Sequence, residues 1–206
     1  MTQRNMTFPF DASPFNTLQN WFQEAETSEP NDPSAACLST IGLDGFPNNR
    51  IVLVRRITAH GFTFFTNLGS QKGQELCTNP SAALCFHWKS LRRQIRIRGV
   101  VEKTPEEQAD SYYHSRPREN QIAAWASKQS EPLADRSVLL ERFEHYRNEF
   151  EEKAPPLIPI PRPPFWSGFC LAPRSIELWQ EGESRLHHRL FYSVTKEGWA
   201  CTLLYP

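Results

Sequence analysis

Apolar and polar positions follow two different rhythms along this 206-residue chain. Near the start, Leu18, Trp21 and Phe22 recur at helical spacing, which predicts a short amphipathic helix over Phe15 to Glu26. The turn cluster SEPNDP (Ser28 to Pro33) closes it, and from there the rhythm switches to that of strands. Ala35 to Ile41 leads through the hairpin-type turn LDGFP (Leu43 to Pro47) into a second strand, Arg50 to Arg56. Phe62 to Thr66 reads as a third strand, and Gly69 to Cys77 as a turn feeding a short helix that Asn79 and Pro80 close. Ala82 to Trp88 and Arg93 to Glu102 are the fourth and fifth strands. In the fifth, Ile95, Ile97 and Gly99 share one face, and Gln94, Arg96 and Arg98 the other.

The second half begins with Thr104, Pro105, Glu106 and Glu107: a cap, a proline and early acids, predicting a helix to about His114. Ala134 to Lys153 is the longest expected helix, with Val138, Leu139, Phe143, Tyr146 and Phe150 as its apolar stripe. Pro155 to Pro164 is expected as an extended loop. Three strands finish the pattern: Phe169–Leu171 continuing into Ser175–Trp179, then Leu190–Val194 and Trp199–Leu204. Many strands, few helices and no regular strand–helix alternation predict a mainly β chain with helical additions, an α+β barrel rather than a doubly wound sheet. Residues 1–14 are expected to be a flexible arm, and residues 15–206 a single domain.

Composition narrows the function. Lys plus Arg equals Asp plus Glu, 23 each, so no global field draws the chain to nucleic acid or a membrane. Any affinity for phosphate must come from local cations. Five scattered cysteines, none in a Cys-x-x-Cys pair, argue against a disulfide framework and a zinc site and for a reducing, cytoplasmic setting; no metal is expected. The first residues do not read as a signal peptide, and no apolar run reaches the length of a membrane span. Neither a Gly-x-Gly-x-x-Gly nor a Walker-type loop is present, so a nucleotide would be held by side chains on strands and loops.

Three segments carry candidate chemistry. Arg50 to Arg56 and Thr66 to Lys72 bring cations near a glycine, a hydroxyl and a helix start, which suits an anion, and Arg50 or Arg55 could close on the same phosphate. The plainer alternative is that arginines bracket a buried strand while Lys72 is solvated. Tyr112 to Gln121, running on to Trp125–Ser130, places Tyr112 and Arg116 four apart on a helix end, with Asn120 as a further donor for a phosphate monoester. Its alternative is a helix terminus whose arginines cap carbonyls. In Trp179 to Arg189, the residues Arg185, His187 and Arg189 would alternate onto one strand face, away from Leu186 and His188. Two arginines and a histidine converging beside a tryptophan are expensive to bury without an anionic partner.

Several stretches together resemble the pyridoxine 5′-phosphate oxidase family: Arg50–Arg55, Phe65–Lys72, Arg93–Ile95, Tyr112–Ser130, Arg162–Phe169, Ile176–Trp179, Arg185–His187 and the final Leu204–Pro206. They occur in the family's order, and the similarity runs from about Phe15 to the last residue. The resemblance implies an FMN-binding split β-barrel, a homodimer, and FMN in two symmetric clefts at the dimer interface. Carried over, the cofactor contacts would come from the strand Arg50, Ile51, Val52, Leu53, Val54 and Arg55. Phe65, Thr66, Gln71, Lys72 and Gln94 would add to them, as would Gln129, Ser130, Trp179 and Arg189. The substrate phosphate would be held by Arg55, Tyr112, Arg116 and Asn120, with Arg185, Leu186 and His187 against the pyridine ring and Arg185 and His187 as the catalytic pair. Arg50 and Arg55 point to opposite faces of an ideal strand, so serving one cleft needs twist, a bulge or the interface.

The implied reaction oxidises pyridoxamine or pyridoxine 5′-phosphate at its 4′ carbon to pyridoxal 5′-phosphate, with O2 as acceptor and H2O2 released. The chain departs from the family's pattern at several positions. Arg55 stands where lysine is usual, Asn120 where serine is common, and His188 in place of an aspartate. Leu203 replaces an arginine, and Gln71 replaces an arginine seen in some members. Two other readings follow from these departures. One is a paralogous FMN-dependent oxidase of another ring substrate, as in phenazine-type secondary metabolism. The other is a non-catalytic flavin- or pyridoxal-phosphate-binding protein.

Overall fold

The computed structural model describes residues 13–153 and 158–206; the expected arm up to residue 12 and part of the proline-rich loop lie outside them. The first helix, α1 (Pro14–Ser28), starts earlier than its apolar spacing shows, because Ser13 caps it, accepting from the Phe15 N–H at 3.4 Å, and Pro14 fits the first turn. It buries Leu18, Trp21 and Ala25, and Phe22 meets Phe86 and Trp88 edge-on at 5.0 and 4.8 Å. The buried Arg93 donates to Glu24 at 2.8 Å and ties the helix down.

Among the described residues eight strands follow: β1 (Ala35–Ile41), β2 (Pro47–Thr58), β3 (Gly61–Asn67), β4 (Ser81–Trp88), β5 (Arg93–Lys103), β6 (Trp166–Gln180), β7 (His188–Thr195) and β8 (Gly198–Leu203). They run antiparallel in the order β3-β2-β1-β4-β5-β6-β7-β8, and β3 also pairs with β6. That extra pairing closes six strands into a split barrel, the mainly β architecture with helical additions that the pattern predicts. Alternation sends Leu38, Phe62, Phe64, Leu84, Phe86, Ile95, Ile97 and Leu178 into one interior cluster. Each contributes about 1.5–3 kcal/mol by leaving water, and Phe86→Ala would cost roughly 3–5 kcal/mol. β6 spans both segments expected around Phe169 and Ser175, bent where its register slips opposite Arg98 and Gly99. A Cβ on Gly99 would sit 2.0 Å from the Ala172 carbonyl oxygen, so only glycine allows that approach.

The helices α2 (Gln71–Thr78), α3 (Glu106–Ser115), α4 (Arg118–Ala126) and α5 (Arg136–Lys153) lie outside the barrel. Tyr113, Ile122, Phe150, Ile160 and Trp166 form a second core beneath the last three. Four expectations are corrected. Thr104 does not cap α3: Pro105 holds the cap position with no side-chain bond, and the buried Thr104 hydroxyl has no hydrogen-bond partner among the described residues. Arg116 does not continue the helix carrying Tyr112, which ends at Ser115, close to the expected end: Pro117 disfavours helical geometry at Arg116, and a separate α4 follows. Of the α5 stripe, only Phe150 is buried, and Val138 is exposed. Finally, Arg185, His187 and Arg189 do not share a strand face. β6 ends at Gln180 opposite His188, so residues 181–187 form the connecting loop, with a single 3-10 turn at Glu183–Arg185 and left-handed backbone at Ser184 and Arg185.

Candidate functional site

A cleft of about 560 Å³ lies on the outer side of β2 and β3, walled by α3 and α4. Val52 and Val54 point into the barrel, which sends Ile51, Leu53 and Arg55 outward to line the cleft. Ile51 is 65% exposed, unusual for an isoleucine on a central strand. On the wall, the Phe65 ring stacks on Tyr112 at 4.0 Å and lies parallel to Trp166 at 5.5 Å.

One end of the cleft is built on the α2 cap. The Ser70 hydroxyl accepts from the Gly73 N–H at 3.3 Å, and a Cβ on Gly73 would meet the Leu68 carbonyl at 2.4 Å. The next side chain, Lys72, is drawn inward and donates to Gln129 Oε1 at 2.9 Å, Thr66 Oγ1 at 3.2 Å and Ser70 Oγ at 3.3 Å. All three acceptors are neutral. Burial, reinforced by Arg50 and opposed by Glu75, pulls the Lys72 pKa below its ordinary value. Ser130, beside Gln129, is exposed with left-handed backbone, and Gln71 is exposed next to Glu75 in a neighbouring depression.

Arg50 does not line this cleft. It lies on the inward side of β2 and donates to Thr40 and to Glu75, the latter at 2.9 Å. Glu75 is 1% exposed and also accepts from Thr40 at 2.6 Å and Asn48 at 2.9 Å. Burial alone would raise its pKa, but the bonds from Thr40 and Asn48 and the Arg50 charge outweigh that and hold it low. A bulge between Val54 and Arg56 does occur in β2, yet it re-aims Arg55 without bringing Arg50 alongside.

The other end gathers Arg55, Tyr112, Arg116 and Asn120. Arg116 sits at the break between α3 and α4, its guanidinium 5.0 Å over Trp166 and 5.8 Å over Tyr113. Its Nη1 is buried with no hydrogen-bond partner among the described residues. Burial lowers its pKa, Tyr112 and Tyr113 oppose that, and Arg55 adds to it. Gln121 holds the break: its amide donates to the Arg116 carbonyl at 2.8 Å, and its own carbonyl accepts from Tyr113 at 2.9 Å. Burial pushes the Tyr113 phenol up to about 12, so it stays a donor. An orphaned guanidinium edge fits a phosphate or carboxylate oxygen.

The remaining residues singled out in the sequence form a second group elsewhere. Gln94, Trp179 and Arg189 stand opposite one another across β5, β6 and β7 on the outer face. The His187 ring lies 4.7 Å from Trp179, and its Nδ1 accepts from the Gly182 N–H at 3.3 Å. Arg185 and Leu186 are exposed on the same loop. Trp166 lines the first cleft at the start of β6, while Trp179 belongs to this group near the strand's other end. Glu75, Gln121, Trp166 and Glu177 were not singled out from the sequence, although each orients or stacks on a residue that was. The signal was present for two of them: an acid between Ile176 and Leu178 on a strand (Glu177), and an acid one turn beyond Lys72 on the same helix (Glu75).

Residues 22–149 match the family model described as pyridoxamine 5′-phosphate oxidase, and residues 166–206 the pyridoxine 5′-phosphate oxidase C-terminal dimerisation region. Relatives from Brucella canis and Brucella abortus, both named pyridoxine/pyridoxamine 5′-phosphate oxidase, are 48% identical over 208 residues. The alignments cover 100% of this chain, with 100% and 98% of the respective relative. Among solved structures, PhzG from Burkholderia lata in complex with tetrahydrophenazine-1-carboxylic acid superposes with a TM-score of 0.88 at 28% identity, covering 96% of this chain and 95% of that one. A pyridoxamine 5′-phosphate oxidase-related, FMN binding protein from Nostoc punctiforme gives 0.74 at 16% identity over 94% of this chain and 98% of its own, a likeness of fold.

Proposed function

The chain belongs to the pyridoxamine 5′-phosphate oxidase family, and from that we propose that it oxidises pyridoxamine or pyridoxine 5′-phosphate to pyridoxal 5′-phosphate using FMN and O2. The observation that carries this reading is one cleft with two anion-seeking ends: Lys72 with only neutral partners at one, and the unpartnered Arg116 edge at the other. A phosphorylated cofactor and a phosphorylated substrate need that pair of sites. Lys72, Thr66 and Gln129 would hold the cofactor phosphate, with the outward edge of Ile51 and Leu53 beneath its ring. Arg116, Tyr112, Asn120 and Arg55 would hold the substrate phosphate.

FMN, when bound, supplies two-electron acceptance from the substrate's 4′ carbon and reoxidation by O2 with release of H2O2. The protein's part is placement. Arg116 and Tyr112 fix the substrate by its remote phosphate, so that binding energy orients the reacting carbon. Phe65, Tyr112 and Trp166 exclude water along one wall. His187, with Nδ1 accepting from Gly182, would offer Nε2–H as a donor to the pyridine, and Arg185 would cover the ring. Arg50 would serve the cofactor phosphate through the charge it adds beside Lys72.

Arg185, His187, Trp179, Gln94 and Arg189 do not line that cleft. We therefore infer a homodimer in which they complete the partner's cleft, a reading that the matched dimerisation region supports. Residues 15–206 would form one domain of that dimer. A cytoplasmic setting fits the scattered cysteines, and no helix among the described residues is long and apolar enough to cross a membrane. Turnover of pyridoxamine phosphate by the FMN-loaded protein, followed at the aldehyde's absorbance, tests the proposal. No turnover, with oxidation of a reduced phenazine carboxylic acid instead, would replace it by the reading that the Burkholderia lata likeness favours.

A further inference from the structure

Glu177 is a carboxylate on the outer face of β6, between the inward-pointing Ile176 and Leu178 and only 6% exposed. Burying a charge there costs free energy unless it is fully paired. It is: one oxygen, Oε1, accepts from both Nε and Nη2 of Arg189 at 2.8 Å, and Oε2 accepts from Arg96 Nη1 at 3.0 Å. Arg189 also donates through Nη1 to the Tyr205 carbonyl at 2.8 Å, and the Leu204 N–H returns to the Arg189 carbonyl at 3.0 Å. All three guanidinium nitrogens are thus engaged, which fixes the plane of the group. The triad carries two positive charges and one negative.

We propose that Glu177 is a positioning residue that sets how much positive charge Arg189 presents to the bound cofactor, and through it the cofactor's midpoint potential. This rests on the reading above that Arg189 contacts FMN. A flavin gains negative charge when reduced, so a nearby net cation favours the reduced form, and a carboxylate that cancels part of that cation restrains it. Arg96, half-exposed on the far side of Glu177, competes for the same carboxylate. Removing Glu177's charge and removing Arg96's charge must therefore move the potential in opposite directions.

Two isosteric changes test this in the FMN-loaded full chain, by dye-equilibration titration of the midpoint potential and fluorescence titration of the apoprotein with FMN. Glu177→Gln keeps the shape and one acceptor but deletes the charge. The reduced cofactor should then be bound about tenfold more tightly relative to the oxidised one, a rise of about 30 mV for a two-electron couple. Arg96→Gln should lower the potential, by less, because that group is more exposed to solvent. A purely structural role for Glu177 would weaken both redox states equally, and an unmoved or lowered potential in Glu177→Gln overturns the proposal. Should that variant not fold, Arg96→Gln decides alone, and an unmoved potential there overturns it equally. Arg189→Gln separates the two layers: unchanged FMN affinity and potential in that variant would show that Arg189 is not at the cofactor, so the site reading fails first.

Discussion

Replacing Arg116 with methionine should raise or preserve the stability of the apoprotein while crippling capture of phosphorylated substrate. The guanidinium is half-buried at the α3–α4 break with Nη1 unpartnered, and burial already lowers its pKa. An unsatisfied buried polar atom costs about 1–3 kcal/mol, and methionine can fill the space over Trp166 and Tyr113 without that cost. On the proposed reading, the same atom meets a phosphate oxygen of the substrate. Losing a charge-assisted bond there costs roughly 1.5–3 kcal/mol, or about one to two decades in affinity. Thermal unfolding of the apoprotein gives the first quantity. The second comes from kcat/KM for pyridoxamine phosphate and for unphosphorylated pyridoxamine, measured beside the affinity for FMN. The phosphorylated substrate should lose about 10- to 100-fold, while the other two stay within roughly twofold, as expected for independent sites. Equal losses for substrate and cofactor, or for both substrates, would place Arg116 at the wrong phosphate and refute the reasoning.

FMN affinity should fall on alkalinisation at a lower pH than an ordinary lysine of pKa 10.5 would dictate, because burial depresses Lys72 and only its protonated form pairs with phosphate; Lys72→Arg should extend affinity to higher pH in the same titration. Glu75 has a lowered folded pKa, so its contribution to stability is fully present above its ordinary value of 4.5 and is lost as pH falls through the lowered value. Glu75→Gln should cost about 1.5–3 kcal/mol at neutral pH and flatten the acid limb of a denaturation series. Light scattering at micromolar concentration should report about twice the 23.8 kDa chain mass, and a monomer that binds FMN tightly would contradict the shared-cleft reading. His188→Asp should leave or raise turnover near neutral pH, since His188 is exposed on β7 beside Arg189; a flavin-loaded variant that loses most activity would give His188 a part in another reaction.

The barrel was legible because its interior strands place large apolar residues at every second position, as in Leu84-Phe86-Trp88 and Ile95-Ile97, and nothing else explains that rhythm. The break at Arg116 was not. Arg118–Ala126 buries only Gln121, Ile122 and Ala126, too few apolar positions to announce a helix, so no second helix was expected after the one ending near His114. The strand expected through Arg185 failed because alternating charge is equally compatible with a loop, and the pairing partner that ends β6 at Gln180 is remote in sequence. At the site, cations were conspicuous and the acids holding them were not. Reading for phosphate binding selects Arg50 and Arg189, yet where those side chains point is decided by Glu75 and Glu177, and only the fold brings each pair together.

Where the departures from the family's pattern fall bears on which ring the cleft takes. Leu203 is 61% exposed, His188 and Gln71 are exposed, and none of the three lines this chain's own cleft, though His188 stands between two residues inferred to complete the partner's. Arg55 and Asn120 do line it, and both keep donors toward the end where Arg116 stands: one exchanges a point charge for a fork, the other a hydroxyl for an amide. A phosphate on a flexible methylene offers three acceptor oxygens to such a cluster. The carboxylate of a phenazine carboxylic acid offers two and is fixed to a fused ring, which would have to enter beside the stacked Phe65 and Tyr112. The 48% identity to named pyridoxine/pyridoxamine 5′-phosphate oxidases, against 28% to PhzG, points the same way. The donor-rich end, with its one unanswered guanidinium edge, is therefore better matched to a phosphate monoester, and the changes at Arg55 and Asn120 should alter how tightly it is held more than which ring is oxidised.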